Sequence, residues 1–270
     1  MKRASFGVVG YGKMGSSLIK GALNSGLLSL KRTKVYDLDR ARVELAKRDG
    51  LITVDSLAGI AGSDAILLAV KPKDTPKLLD ELRSLIPAGK SLFISIAAGV
   101  KIASMEAGLG EGSRVVRVMP NIAASVNEAA SVFVPNRWAS ESDIAFATAL
   151  LEGVGVAYKL KDESMIDAVT GISGSGPAYF FLMMKALEDV GKKSGLPGDL
   201  LRSLVSQTCR GAGALALRSS DSFDQLIRSV ASPGGTTEEA LRIMDSKGFS
   251  QTVIDAVVAA IEKSKKMNYS

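Results

Sequence analysis

The chain has 270 residues, 46% hydrophobic and 23% charged, with a formal net charge of +6, one cysteine (Cys209) and no histidine. That length is enough for about two domains. No apolar run reaches the ~18 residues of a membrane span, and a lone cysteine excludes an internal disulfide, which fits a reducing cytoplasm. Without histidine, a Ser-His-Asp or Cys-His device, an HExxH metal site and a histidine acid–base are excluded, and no metal is expected.

The positive surplus is diffuse, with no basic run and no aromatic interleaving. It is too diffuse to argue for nucleic acid, and none is expected as a partner, though it favours small anionic ligands. Met1-Lys2-Arg3 carries charge, but the apolar stretch Phe6 to Val9 behind it is too short for an export signal.

Ser5 to Gly10 reads as a β-strand and Ser16 to Leu23 as a helix, with Gly10-Tyr11-Gly12-Lys13-Met14-Gly15 between them. Strand, GxGxxG, helix is the context of a dinucleotide-binding turn. Gly10 permits the turn, Gly12 lets a pyrophosphate approach the backbone, and Gly15 lets helix and strand pack closely. Thr33 to Tyr36 is the next strand and ends on Asp37, 22 residues after Gly15. An acid there receives ribose hydroxyls and repels a 2'-phosphate, which tilts the coenzyme toward NADH. Arg40 lies close enough to soften that repulsion. The alternative reading of Asp37 is the cap of a helix over 39–48.

Strands are predicted at Leu51 to Val54, Asp64 to Val70, Ser91 to Ile96, Arg114 to Val118, Ala130 to Val134 and Val154 to Tyr158. A short helix follows Asp55, and an amphipathic one spans Thr75 to Leu85. The almost wholly apolar 64–70 run fits a parallel sheet covered on both faces. Its strand ends 69–72, 97–99 and 119–121 are either plain termini or the ligand edge of an α/β sheet. Beyond about residue 160 only helices are predicted: 178–190, 199–217, 223–230, one from 238, and 250–263. Tyr179 to Leu187 is apolar nearly all round, so that helix is buried in a core or a subunit interface. The lysine-bearing end Lys263 to Ser270 reads as ragged.

The stretch Val230 to Ala240 holds a glycine hinge before a helix, with Thr236 as N-cap and Glu239 completing a capping box. Backbone N–H groups of Gly234 and Gly235 would converge on an anion such as a carboxylate, leaving the Thr237 hydroxyl free. An ordinary capped loop explains the same residues.

Seven segments together resemble the Δ1-pyrroline-5-carboxylate reductase family over essentially the whole chain. They are Gly10-x-Gly12-x-Met14-Gly15, Ala69-Val70-Lys71-Pro72, Ile94 to Val100, Arg117 to Asn121, Ala168 to Tyr179, Gly195-Leu196-Pro197 and Ser232-Pro233-Gly234-Gly235-Thr236-Thr237. The resemblance implies an α/β fold, with a Rossmann-like dinucleotide-binding domain over 1–160 and an all-helical dimerisation and substrate-binding domain over 161–270. The implied activity is reduction of a cyclic imine to L-proline with NADPH or NADH, in a homodimer or larger homo-oligomer. A readily protonated imine needs no strong base, so a histidine-free enzyme suits this reaction.

By resemblance, Ser232, Gly235, Thr236 and Thr237 bind the substrate, and Thr237 is the catalytic hydrogen-bond partner of the ring nitrogen. Gly10, Gly12, Lys13, Met14, Gly15, Asp37 and Ser56 hold the pyrophosphate and adenosine. Ala69, Val70, Lys71, Pro72, Ala97, Ala98 and Gly99 line the nicotinamide end. Three positions depart from the family: Ser56 where many members have Asn, Ser229 where Asn, Gln or Asp is common, and Asp37 where NADPH users often carry Ser or Arg. Two rivals remain. A β-hydroxyacid dehydrogenase would need a lysine one turn after the helix glycines, where this chain has Tyr179 and Phe180. A non-catalytic NAD-binding regulator would have no use for the 232–237 loop.

Overall fold

A computed structural model describes residues 5–267. The alternating strand and helix pattern builds β1 (Phe6–Val9), α1 (Lys13–Asn24), β2 (Thr33–Tyr36), α2 (Arg40–Arg48), β3 (Ile52–Thr53), β4 (Ala65–Leu68), α3 (Thr75–Leu85) and β5 (Leu92–Ser95). It continues through α4 (Ile102–Leu109), β6 (Arg114–Met119), β7 (Ala129–Pro135), α5 (Glu141–Glu152), β8 (Gly155–Lys159) and α6 (Met165–Val169). The helix expected after Asp55 is a single 3-10 turn, Leu57–Ile60. Helices alone follow: α7 (Gly176–Lys193), α8 (Gly198–Arg218), α9 (Phe223–Val230), α10 (Thr236–Ser246) and α11 (Phe249–Lys266).

Among the described residues the strands form one sheet in the order β3-β2-β1-β4-β5-β6-β7-β8. Pairing is parallel from β3 to β6, β7 runs antiparallel to β6, and β8 is parallel to β7. Side-chain alternation divides the core between the two faces. Phe6, Val8, Leu67, Ile94 and Val116 pack with Leu18, Ile19 and Leu150 of α1 and α5 on one face. Val9, Ile66, Leu68 and Phe93 pack with Leu79, Leu82 and Met105 of α3 and α4 on the other. Parallel β1, β4, β5 and β6 share one carboxyl edge, and the chain reverses direction of travel across the sheet between β1 and β4, where such folds bind ligands.

The chain divides into two compact units at 174/175, with the chain from Ala260 rejoining the first. The expected division was 160/161. Segment 161–174 belongs with the sheet because side chains tie it there. Arg117 Nη1 donates to Glu163 Oε1 at 2.6 Å, and Asn121 Nδ2 donates to the Ser173 carbonyl at 3.2 Å. The supposedly ragged C-terminal stretch is helical through Lys266, and buried Ser264 donates to Asp167 Oδ1 at 2.6 Å. Residues 268–270, like Met1-Lys2-Arg3, lie outside the described residues.

In the second unit, α7 packs on α8 where Gly191 leaves room for Leu201. Among its described residues only Gly176 and Gly191 of α7 are buried. Phe180 and Phe181 are each 61% exposed and Leu182 70%, so its apolar surface is not core of the single chain. No helix among the described residues is long and apolar enough to cross a membrane.

Candidate active site

The glycine turn sits at the switch point between β1 and β4. Gly10 has φ +97°, and a Cβ there would lie 2.5 Å from the Ala69 carbonyl oxygen. Its N–H donates to the Tyr36 carbonyl, while Ala69 N–H donates to Val9. Gly15 is buried, and a Cβ on it would collide with the Gly10 carbonyl. Gly12 is the N-cap of α1 and supplies no side-chain cap. First-turn N–H groups of α1 therefore keep their capacity for an anion. Lys13 is exposed at the start of α1 and Met14 packs against the core beside it. Glycine at positions 10 and 15 lets the turn, α1 and the end of β4 pack this closely, and the uncapped helix start that results fits a dinucleotide pyrophosphate.

Asp37 directly follows β2, with its side chain 8% exposed. It does not cap α2; Asp39 does, accepting from Ala41 N–H at 2.9 Å. Asp37 instead braces the glycine turn, its Oδ2 accepting from Tyr11 N–H at 2.6 Å and its Oδ1 from Asp39 N–H at 2.9 Å. The cation beside it is Arg42, at 3.9 Å, rather than the expected Arg40. An arginine one helical turn past a cap was the signal for it. Ser56, exposed, precedes the 3-10 turn that follows β3.

Further along the same edge, Ala69 and Val70 are half-buried after β4, Lys71 is exposed, and Pro72 opens a 3-10 turn. Buried Thr75 donates its hydroxyl to the Lys71 carbonyl at 3.4 Å. After β5, Val100 N–H reaches the Ala97 carbonyl at 3.4 Å across Ala98 and Gly99, and Gly99 takes φ +76°, as the third residue of a type II turn requires. The structure thus brings the 10–15, 37, 69–72 and 97–99 stretches to one sheet edge. Asn121, which also lies at the end of its strand, caps the next turn through Ala123 N–H and holds Ser173. Ser173 lies in a single π-helical turn, Thr170–Gly174.

In the second unit the 232–237 loop departs from expectation. α10 begins at Thr236, its N-cap is Gly235, and neither Thr236 nor another side chain caps it. Extended Gly235 (φ −85°, ψ 166°) already occupies the N-cap position, which moves the threonines into the first helical turn. Glu239 makes no capping box and pairs with Arg242 at 2.7 Å. Glu238 reaches back instead, its Oε2 accepting from Gly234 N–H at 2.8 Å. Gly235 N–H is bonded to the Ser232 carbonyl at 3.0 Å. Both glycine donors expected to converge on an anion are therefore spent within the loop. The donors offered are the first-turn N–H groups and hydroxyls of Thr236, exposed, and Thr237, half-buried. Ser232 folds over Gly235, where a Cβ would lie 2.8 Å from Ser232 Oγ.

Among the described residues no group of three His, Cys, Asp or Glu could hold a metal ion.

Residues 163–267 match the family model described as pyrroline-5-carboxylate reductase dimerisation, and residues 5–99 match NADP oxidoreductase coenzyme F420-dependent. A pyrroline-5-carboxylate reductase from Methanosarcina acetivorans is 37% identical over 269 residues, covering 99% of each chain. Among solved structures, a pyrroline-5-carboxylate reductase from Coxiella burnetii superposes with a TM-score of 0.91 at 31% identity, over 99% of both chains. The Plasmodium falciparum pyrroline carboxylate reductase with NADP bound gives 0.89 at 31% identity, again over 99% of both.

Proposed function

Because the chain belongs to the pyrroline-5-carboxylate reductase family, it is an oxidoreductase that reduces 1-pyrroline-5-carboxylate to L-proline with NAD(P)H, and we propose how its residues divide that work. The observation that carries the proposal is a pair of helix N-termini. α1 and α10 both have glycine at the N-cap and no side-chain cap; α3, α4, α6, α7 and α8 also lack a side-chain cap but carry other residues at that position, and α5 and α9 have full capping boxes. Uncapped first turns suit anions, a pyrophosphate at Gly12 and a carboxylate at Gly235.

Gly10, Gly12, Lys13, Met14 and Gly15 receive the coenzyme pyrophosphate, Asp37 and Ser56 the adenosine ribose. Ala69 to Pro72 and Ala97 to Gly99 bound the nicotinamide end, where small side chains and turns leave the backbone accessible. The coenzyme supplies hydride. Thr236 and Thr237 N–H groups, with Ser232 and Gly235 shaping the loop, hold the substrate carboxylate. The Thr237 hydroxyl meets the ring nitrogen of the protonated imine, so that hydride adds to carbon while nitrogen keeps the proton. No strong base is required, in keeping with the absence of histidine.

The chain assembles with copies of itself, and we assign a homodimer or larger assembly to its C-terminal helices. The family match from residue 163 supports a functional boundary at 160/161, with 161–174 serving the helical domain while built onto the sheet. The single cysteine supports a cytoplasmic location. Purified protein should oxidise NADH or NADPH when 1-pyrroline-5-carboxylate is added, followed at the reduced-nicotinamide absorbance. Folded protein that turns over neither coenzyme would sink the assignment.

A further inference from the structure

Gly12, where a pyrophosphate approaches, faces a cation. Arg42 Nη1 stands 3.0 Å from the place a Cβ on Gly12 would take. The same guanidinium lies 3.9 Å from Asp37 Oδ2, and its Nε lies 3.4 Å from Asp39 Oδ2. One half-buried arginine therefore spans the ground between the phosphate turn and the carboxylate that follows β2.

Asp37 is the feature that should disfavour a 2'-phosphate by like charge. Yet its oxygens accept the Tyr11 and Asp39 N–H groups, so it holds the loop in shape. A cation within about 4 Å offsets its charge. Arginine also presents a planar fork that grips a phosphate with two parallel N–H bonds.

We propose that Arg42 sets the coenzyme choice: its guanidinium offsets Asp37 and turns to the 2'-phosphate of NADPH, so the site takes NADPH alongside NADH. The inference rests on the dinucleotide reading of this sheet edge and deepens it. In the free protein Arg42 stays with Asp37 and Asp39. A 2'-phosphate competes for it with a full charge and several acceptor oxygens. Both carboxylates remain hydrogen-bonded to backbone when the guanidinium leaves, which keeps the exchange balanced.

The test is equilibrium binding with the full chain, titrating NADPH and NADH by reduced-nicotinamide fluorescence. Competition by 2'-AMP and 5'-AMP reports the adenosine end alone. In Arg42→Ala the ratio of NADPH Kd to NADH Kd should rise about tenfold or more, the worth of one charge-assisted phosphate contact. Arg42→Lys should recover part of that ratio, and 2'-AMP should lose its advantage over 5'-AMP in Arg42→Ala. A ratio within about threefold of the original overturns the proposal, whether both coenzymes weaken together or neither does. Original protein that binds only NADH overturns it too, and protein that binds neither coenzyme overturns the dinucleotide reading with it. Protein that binds both and shows the ratio change but does not reduce the imine upholds Arg42 and sinks the reaction instead.

Discussion

The hydroxyl of Tyr11 donates to Asp49 Oδ2 at 3.0 Å, which fastens the glycine turn to the C-terminal cap of α2. Tyr11 is fully buried, and Lys20 Nζ closes on the same carboxylate oxygen at 2.9 Å. Burial first, then the bond and charge of Asp49, hold the phenol well above its usual range. A phenol kept neutral in the fold contributes stability that is complete below the unfolded pKa of about 10 and is lost as pH rises through the folded value. Tyr11→Phe should therefore cost about 1 kcal/mol at neutral pH. It should also flatten the fall in stability above pH ~10. Denaturant melts at both pH values check this; an equally steep alkaline fall in the variant would assign it to other groups.

Two glycines of α1 separate packing from coenzyme binding. An added Cβ at Gly15 would strike the Gly10 carbonyl in the phosphate turn, and one at Gly21 would strike Val154 and the Gly153 backbone behind α5. Each alanine variant should lose about 1–3 kcal/mol by overpacking. Only Gly15→Ala should also weaken coenzyme binding, by about tenfold or more, because it displaces Gly10. Titration at a temperature where both variants are folded reads the difference. Equal losses at the two positions would mean that helix placement, rather than the turn, governs affinity.

Legibility in the sequence followed the range of the interactions. Thr75 to Leu85 and Phe223 to Val230 could be read to the residue, because helical periodicity and flanking breakers are local. The glycine turn was legible for the same reason. The placement of 161–174 was not, since it depends on Arg117 with Glu163 and Asn121 with Ser173, partners 46 and 52 residues apart. At the 232–237 loop the error was one position. Threonine was given the cap that extended Gly235 occupies, and Glu239 the reach that belongs to Glu238. The propensity of Thr for caps is real, but glycine takes the site where backbone must turn at Gly234 with φ +72°.

Helix α7 presents Phe180, Phe181 and Leu182 outward in the single chain. Burying a phenylalanine is worth about 1.5–3 kcal/mol, and in a symmetric contact each copy contributes it. Phe181→Glu should shift the assembly to monomer at micromolar concentration, measured by light scattering after size exclusion. An unchanged mass would move the interface to another helix of this unit.

Thr237→Ala should lower kcat/KM by about 10- to 100-fold, the worth of one hydrogen bond to a charged group. Coenzyme Kd should stay close to its original value, and Thr237→Ser should restore most of the activity by returning the hydroxyl. A parallel loss of coenzyme binding would show that Thr237 serves the loop rather than the imine nitrogen.

The bond from Gly234 N–H to Glu238 Oε2, 2.8 Å, gives the loop a shape and a cost at once. It braces a left-handed glycine, but it also leaves a negative side chain beside a helix start proposed to receive a carboxylate. Glu238→Gln retains an acceptor oxygen for Gly234 and removes the charge. The KM for 1-pyrroline-5-carboxylate should fall about two- to threefold, and the gain should shrink at high salt because the repulsion is screened. Glu238→Ala removes charge and brace together, so the loop loosens and KM should rise. Steady-state kinetics at low and high ionic strength distinguish the two effects. Opposite signs for the Gln and Ala variants place the carboxylate of the substrate at the start of α10, whereas a rise in KM for both would place it elsewhere.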